Sequence, residues 1–212
     1  MMLIGQYDSP FVRRVGIALR LYRIPFEHAP WSSFGEADRI ARHNPLRRVP
    51  TLVMDDGVAM MDSWAILDTL DQIVGPNEAL IAPSGPDRRE SMRLQALAAG
   101  AADKGVALVY ERAFREEALE HWVERCRAQV TGAWDALEKA RAASKSPWLF
   151  GDQIGHADII LATVLRFVSE ALEGAFALSA WPALAAHSAR AEALPVFKEI
   201  CQPYRLVPPG ES

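Results

Sequence analysis

Two cysteines in 212 residues, Cys126 and Cys201, are too few and too far apart for a disulfide framework, and no CxxC pair occurs. Both fall in segments that read as helix, which suits a reducing compartment. The five histidines (His28, His43, His121, His156, His187) show no zinc-type spacing with one another or with the cysteines, so no metal is expected. Basic charge is also scarce. Lys and Arg number 23 against 27 Asp and Glu, a formal net charge of -4 that excludes the broad cationic face a nucleic acid or anionic membrane would require. Long apolar runs are missing as well: the stretch ADIILATVL is far short of a membrane span and runs directly into Arg166. The first residues, MMLIGQYDSPF, carry no basic region ahead of a long apolar segment, so no secretory leader is predicted and a cytoplasmic location is expected. Small molecules and proteins remain as partners.

What is present is half hydrophobic and about one-quarter charged, enough for two modest cores. MMLIGQY reads as a strand and PFVRRVGIALRLYRI as an amphipathic helix. IPFEHA follows as a second strand, and FGEADRIARH as a weak helix stopped at Asn44-Pro45, because Pro disfavours helix at the residue before it. TLVM and VAMM flank Asp55-Asp56-Gly57, a hairpin signal with Gly where a positive φ is cheap. DSWAILDTLDQIV then places Trp64, Ile66, Leu67, Leu70 and Ile73 at helical spacing. The order is βαβαββα over residues 1–76.

Residues 77–86 are rich in Pro and Gly and read as a linker. From 87 to 212 strand signals vanish, and four segments (87–114, 117–143, 156–172, 181–194) read as helices of an all-α domain. The Ala-rich run ALAAGAA predicts close helix packing.

Three short motifs in this frame invite a chemical reading. Ser9-Pro10 has the form of a helix start, Ser as cap and Pro at the first helical position. Asp62-Ser63 opens the third helix and places a carboxylate at its positive end. Val49-Pro50 precedes the third strand, where residue statistics alone make a trans bond the expectation.

Together with NPLRRVPTLVMDDG and MDSWAIL, and with the βαβαββα plus all-α order, these motifs resemble the cytosolic glutathione S-transferase family over nearly the whole chain. The Ser-Pro-Phe match at residues 9–11 is of the bacterial type. The resemblance implies a thioredoxin-like first domain, a helical-bundle second domain, glutathione as co-substrate and a homodimer. It further implies a cis Val49-Pro50 bond that turns the Val49 backbone toward an extended peptide. Asp62 would take the ammonium of the γ-glutamyl end, while Ser63 and the helix N-terminus take its α-carboxylate.

Arg48 stands where the family often carries Lys for the glycine carboxylate. Arg47 stands where it usually has Gly, and either cation is open to that role. Glutathione carries a thiol with a pKa of about 8.5, so thiolate at neutral pH needs stabilisation. Ser9 offers a hydroxyl proton while its oxygen caps the helix, so Ser9 is the expected catalytic residue, with Tyr7 the rival hydroxyl. Phe11, Trp31, Tyr110 and Tyr204 are candidates for an apolar co-substrate pocket. Asp103 is a candidate partner for the neighbouring subunit's bound ammonium. GDQIGHADII resembles the family's buried capping box, with Asp158 set to accept from the Gly155 N–H and Gly155 replacing the usual Ser or Thr.

The expected activity is attack of glutathione thiolate on a small electrophile. Glutathione-dependent isomerase, dehalogenase or peroxidase chemistry is the alternative, as is a non-catalytic interaction module on the same fold.

Overall fold

The computed structural model describes residues 1–206; positions 207–212 of the expected helical domain lie outside them. Its first unit holds strands β1 (Met2–Ile4), β2 (Glu27–Ala29), β3 (Thr51–Val53) and β4 (Ala59–Met61) and helices α1 (Pro10–Leu21), α2 (Ala37–Ala41) and α3 (Ser63–Val74). This is the βαβαββα order that the sequence predicts. The strands lie in the order β2-β1-β3-β4, with β1 and β2 parallel and the other pairs antiparallel.

Apolar side chains of β1, α1, β3 and α3 (Leu3, Val12, Val15, Leu19, Leu52, Ile66, Leu70) form one core, and Ile4, Ala29 and Ile40 form a second with Trp31 against it. The two cores separate because successive strand residues point to opposite faces of the sheet. Val49 packs against both, which fixes the start of β3 from two sides.

Gly5, immediately after β1, has φ +128°, and a Cβ there would meet Val12 Cγ2 at 2.5 Å and Val49 Cβ at 2.8 Å. Only glycine lets the chain leave β1 this close to both.

The second unit begins at Ser84 and comprises α4 (Gly85–Phe114), α5 (Glu120–Ala143), α6 (His156–Ala171) and α7 (Pro182–Glu192), with a 3₁₀ turn at Leu178–Ala180. Ala98, Ala99, Ala101, Ala102 and Gly105 of α4 are buried, and a Cβ at Gly105 would lie 3.2 Å from Val168. The small-residue run therefore serves close packing of α4 on α6. Asp158 accepts the Gly155 and Leu149 N–H groups, each at 2.9 Å. Burial pushes its carboxyl up to about 6, with those N–H donors pulling the other way. Gly155 has no side chain to complete the reciprocal half of the capping box.

Residues 195–206 belong to the first unit, whereas the sequence alone predicts that the helical domain runs through them. A short helix, α8 (Pro195–Glu199), packs on α1. The reason is Arg13: its buried guanidinium donates to the carbonyls of Ile200 (2.8 Å) and Phe197 (2.9 Å). Phe197 and Ile200 are themselves buried.

Candidate functional site

Strand register brings the motifs of the first unit to one end of the sheet. Ile4 pairs with Ala29 and with Thr51, and Thr51 pairs with Met61. The residues just beyond those pairs therefore emerge side by side: Gly5 to Ser9 after β1, Trp31 after β2, Arg48 to Pro50 before β3, and Asp62-Ser63 after β4. This is the carboxyl end of the parallel pair, where open α/β sheets form their binding crevices.

Ser9 caps α1. Its Oγ accepts the Val12 N–H at 3.4 Å, a long bond, and its hydroxyl proton has no acceptor among the described residues. The oxygen caps while the proton stays available. Of the rival donors, Arg13 is committed to the Phe197 and Ile200 carbonyls. Tyr7 stacks on His28 with ring centres 3.9 Å apart, and burial pushes its phenol up to about 12, a weaker acid and a weaker donor.

Val49-Pro50 is cis, against the trans expectation from residue statistics and as the family resemblance implied. No backbone hydrogen bond engages Val49 among the described residues. The loop ahead of it is tied down by buried Asn44. Its Nδ2 donates to the Arg48 carbonyl (2.9 Å) and Thr51 Oγ1 (3.0 Å), and its Oδ1 accepts the Leu46 N–H (2.9 Å).

Arg47 has φ +51°, in the left-handed region where glycine is cheap and an L side chain costs about 1–2 kcal/mol. That explains why Gly is the usual residue at this place. Its guanidinium reaches Asp38 at 3.3 Å, while exposed Arg48 has no side-chain partner among the described residues.

Asp62 is the cap of α3, its Oδ1 accepting the Trp64 N–H at 2.8 Å. It sits at φ +68°, a left-handed position that Asp tolerates better than most residues. Ser63, the first residue of α3, is buried at 4% exposure.

The remaining candidates belong to different segments of the chain. Phe11 lies half-buried in the first turn of α1. Trp31 is half-buried, with the Arg39 guanidinium 4.2 Å above its ring and His43 beside it. Tyr204 is half-buried in the C-terminal segment of the first unit. Tyr110 belongs to the second unit and packs edge-on against Phe114. Asp103 is exposed on α4.

Sequence reasoning missed Arg14. It is 1% exposed, with its guanidinium carbon 5.0 Å from the centre of the Trp64 ring. A signal existed: Arg14 falls at helical spacing with Pro10, Ile17, Ala18 and Leu21, on the face that packs inward.

Among the described residues no cluster of His, Cys, Asp or Glu is placed to hold a metal, and no helix is long and apolar enough to cross a membrane.

Residues 3–78 match the family model for the glutathione S-transferase N-terminal domain, and residues 120–190 match that for the C-terminal domain. The chain is 30% identical over 139 residues to the GST-like protein YibF of Escherichia coli, covering 65% of this chain and 68% of that protein. It is 28% identical to the maleylacetoacetate isomerase of Pseudomonas aeruginosa over 94% of both chains. Among solved structures it is similar to a glutathione S-transferase from Methylobacterium radiotolerans in complex with glutathione sulfonate. The TM-score is 0.89 at 28% identity, covering 97% of this chain and 96% of that one.

Proposed function

The chain belongs to the glutathione S-transferase family, and from that premise we propose that it is a glutathione transferase whose glutathione site is the sheet end carrying Ser9, Val49-Pro50 and Asp62-Ser63. The observation that carries this reading is the register that delivers those three segments to one place.

In this reading the Val49 backbone pairs with the peptide as an added strand would. Asp62 takes the ammonium of the γ-glutamyl end, Ser63 and the α3 N-terminus take its α-carboxylate, and Arg48 takes the glycine carboxylate. Arg48 is chosen over Arg47 because Arg47 is engaged with Asp38. The Ser9 hydroxyl, of the bacterial Ser-Pro-Phe type, donates to the sulfur and holds it as thiolate. The thiol proton leaves to water. A sulfur lone pair then forms the new bond to the electrophilic carbon, and the leaving group departs with its electron pair. Catalysis is proximity plus a depressed thiol pKa, with no metal required.

Phe11, Trp31, Tyr110 and Tyr204 are the proposed apolar contributors on the electrophile side, and the enzyme is proposed to work in the cytoplasm. A glutathione-dependent isomerase is the second reading, favoured by the similarity to maleylacetoacetate isomerase along 94% of both chains. A homodimer is proposed, with Asp103 facing the neighbour's bound ammonium; sedimentation as a monomer at micromolar concentration would remove it.

The site itself is tested by thermal unfolding. Glutathione at about one hundred times its Kd is expected to stabilise the fold by about 2.7 kcal/mol. An unchanged Tm at millimolar glutathione would overturn the assignment.

A further inference from the structure

The segment that closes the first unit lies against the loop that carries Ser9. Arg13, one turn along α1 from Ser9, fixes its course by holding the Phe197 and Ile200 carbonyls. Gly16 completes the seat: a Cβ there would stand 3.0 Å from Ile200 Cγ2 and 3.0 Å from Tyr7 Cε1. The bare glycine surface admits a loop residue and a C-terminal residue side by side.

Two hydrogen bonds join the segment to the loop itself. The Tyr7 N–H donates to Gln202 Oε1, and the Arg205 N–H donates to Asp8 Oδ2, each at 3.3 Å. Both bonds are long, so the shorter bonds from Arg13 set the place of the segment and these two transmit it. The Tyr7 N–H has no other acceptor among the described residues. On its other side the loop is held by His28, whose Nε2 donates to the Gly5 carbonyl at 2.8 Å and whose ring stacks on that of Tyr7. His28 therefore grips the start of the loop and the Tyr7 side chain, while Gln202 holds the main chain two residues before Ser9.

A hydroxyl donor is only as useful as its direction. A hydrogen bond weakens steeply as it bends, and a reacting group displaced by about 1 Å loses much of its effect. We propose that Gln202 is a positioning residue that, through the Tyr7 main chain, sets the placement of the Ser9 hydroxyl against the glutathione sulfur. This rests on the glutathione reading above and makes the C-terminal segment a strut of the catalytic loop, supplied from the far end of the chain.

The test follows the ultraviolet thiolate absorbance of bound glutathione against pH, together with steady-state kinetics, in wild type, Gln202→Met and Gln202→Glu. Gln202→Met is also made in a Ser9→Ala background. Met matches the length of Gln without its oxygen, and Glu retains an acceptor oxygen; salt at about 0.15 M screens the added charge. Gln202→Met is expected to move the thiol titration upward by about half a pH unit or more. Its kcat at neutral pH should fall about threefold or more, with KM for glutathione unchanged. Gln202→Glu should restore most of the wild-type titration. In the Ser9→Ala background Gln202→Met should add nothing, because no hydroxyl is left to place.

An unmoved titration in Gln202→Met would overturn the proposal. A shift shared by Gln202→Met and Gln202→Glu would do the same by placing the effect in packing, not in the acceptor. So would a shift that persists without the Ser9 hydroxyl, or a raised KM with unchanged kcat, the mark of a ligand contact. Should Gln202→Met fail to fold, Gln202→Ala carries the same comparison. Failure of wild type to bind glutathione at all is a separate outcome, which would remove the glutathione reading and this inference with it.

Discussion

Replacing Ser9 by Ala is expected to move the titration of bound glutathione thiol upward by roughly one to two pH units, returning it toward its solution value of about 8.5. Each unit corresponds to about 1.4 kcal/mol of preference for thiolate, and one hydrogen bond to an anion contributes about 1.5–3 kcal/mol. Turnover at neutral pH should therefore fall by roughly ten- to a hundredfold, while rates above the solution pKa converge with wild type. The sign follows from the thiolate being the reactive form: a depressed pKa in wild type keeps sulfur ionised at lower pH, and losing the donor shifts the rate profile alkaline.

Stability should change little. The cap bond from the Val12 N–H is long at 3.4 Å, so its loss costs about 0.5 kcal/mol, the low end for an N-cap. Ser9→Thr should keep part of the effect, because a hydroxyl remains although its β-branch restricts the rotamer. The measurement is the ultraviolet thiolate absorbance of bound glutathione against pH. Coincident curves for wild type and Ser9→Ala would leave Ser9 a cap only. They would pass the sulfur to backbone N–H groups, since Arg13 is held by carbonyls and Tyr7 is a weakened acid.

The features legible in the sequence are those that local chemistry decides. The hairpin between β3 and β4 was readable because Gly57 takes φ +86° in a turn between two alternating runs. The caps Ser9 and Asp62 and the Asp158 contact with Gly155 were readable for the same reason, since each acts within three residues of itself.

What escaped is decided by distant chain. Arg13 is buried because residues 184 and 187 positions further on supply its acceptors, and nothing within α1 encodes them. The same contacts draw the C-terminal segment to the first unit, against a reading based on local helical signals. Arg14 was overlooked because a charged residue at an apolar helix position defaults to the surface, and only its environment overrides that default. The left-handed Arg47 was visible as an unusual residue in a family pattern, but its cost is a backbone property that no side-chain pattern displays.

The second large effect is expected at Asp62, and the choice of substitution decides what it teaches. Asp62→Ala removes three things at once: the Trp64 N–H acceptor, a side chain that tolerates φ +68°, and the charge that acts on Arg14. Asp62→Asn separates them. Asn caps as well as Asp and enters the left-handed region readily, so only the charge is lost. Both variants should bind glutathione about tenfold to a hundredfold more weakly, because each loses the carboxylate charge that meets the ligand ammonium, an interaction of about 1.5–3 kcal/mol. Asp62→Ala should lose about 1 kcal/mol more stability than Asp62→Asn, the contribution of the cap. Asp62→Asn should be slightly less stable than wild type, since it removes a negative charge that acts at a distance on the buried Arg14 cation. Calorimetric binding and urea unfolding of the two variants read these quantities independently. Wild-type affinity in Asp62→Asn would take the ammonium away from Asp62, and wild-type stability in the same variant would show that Arg14 does not depend on it.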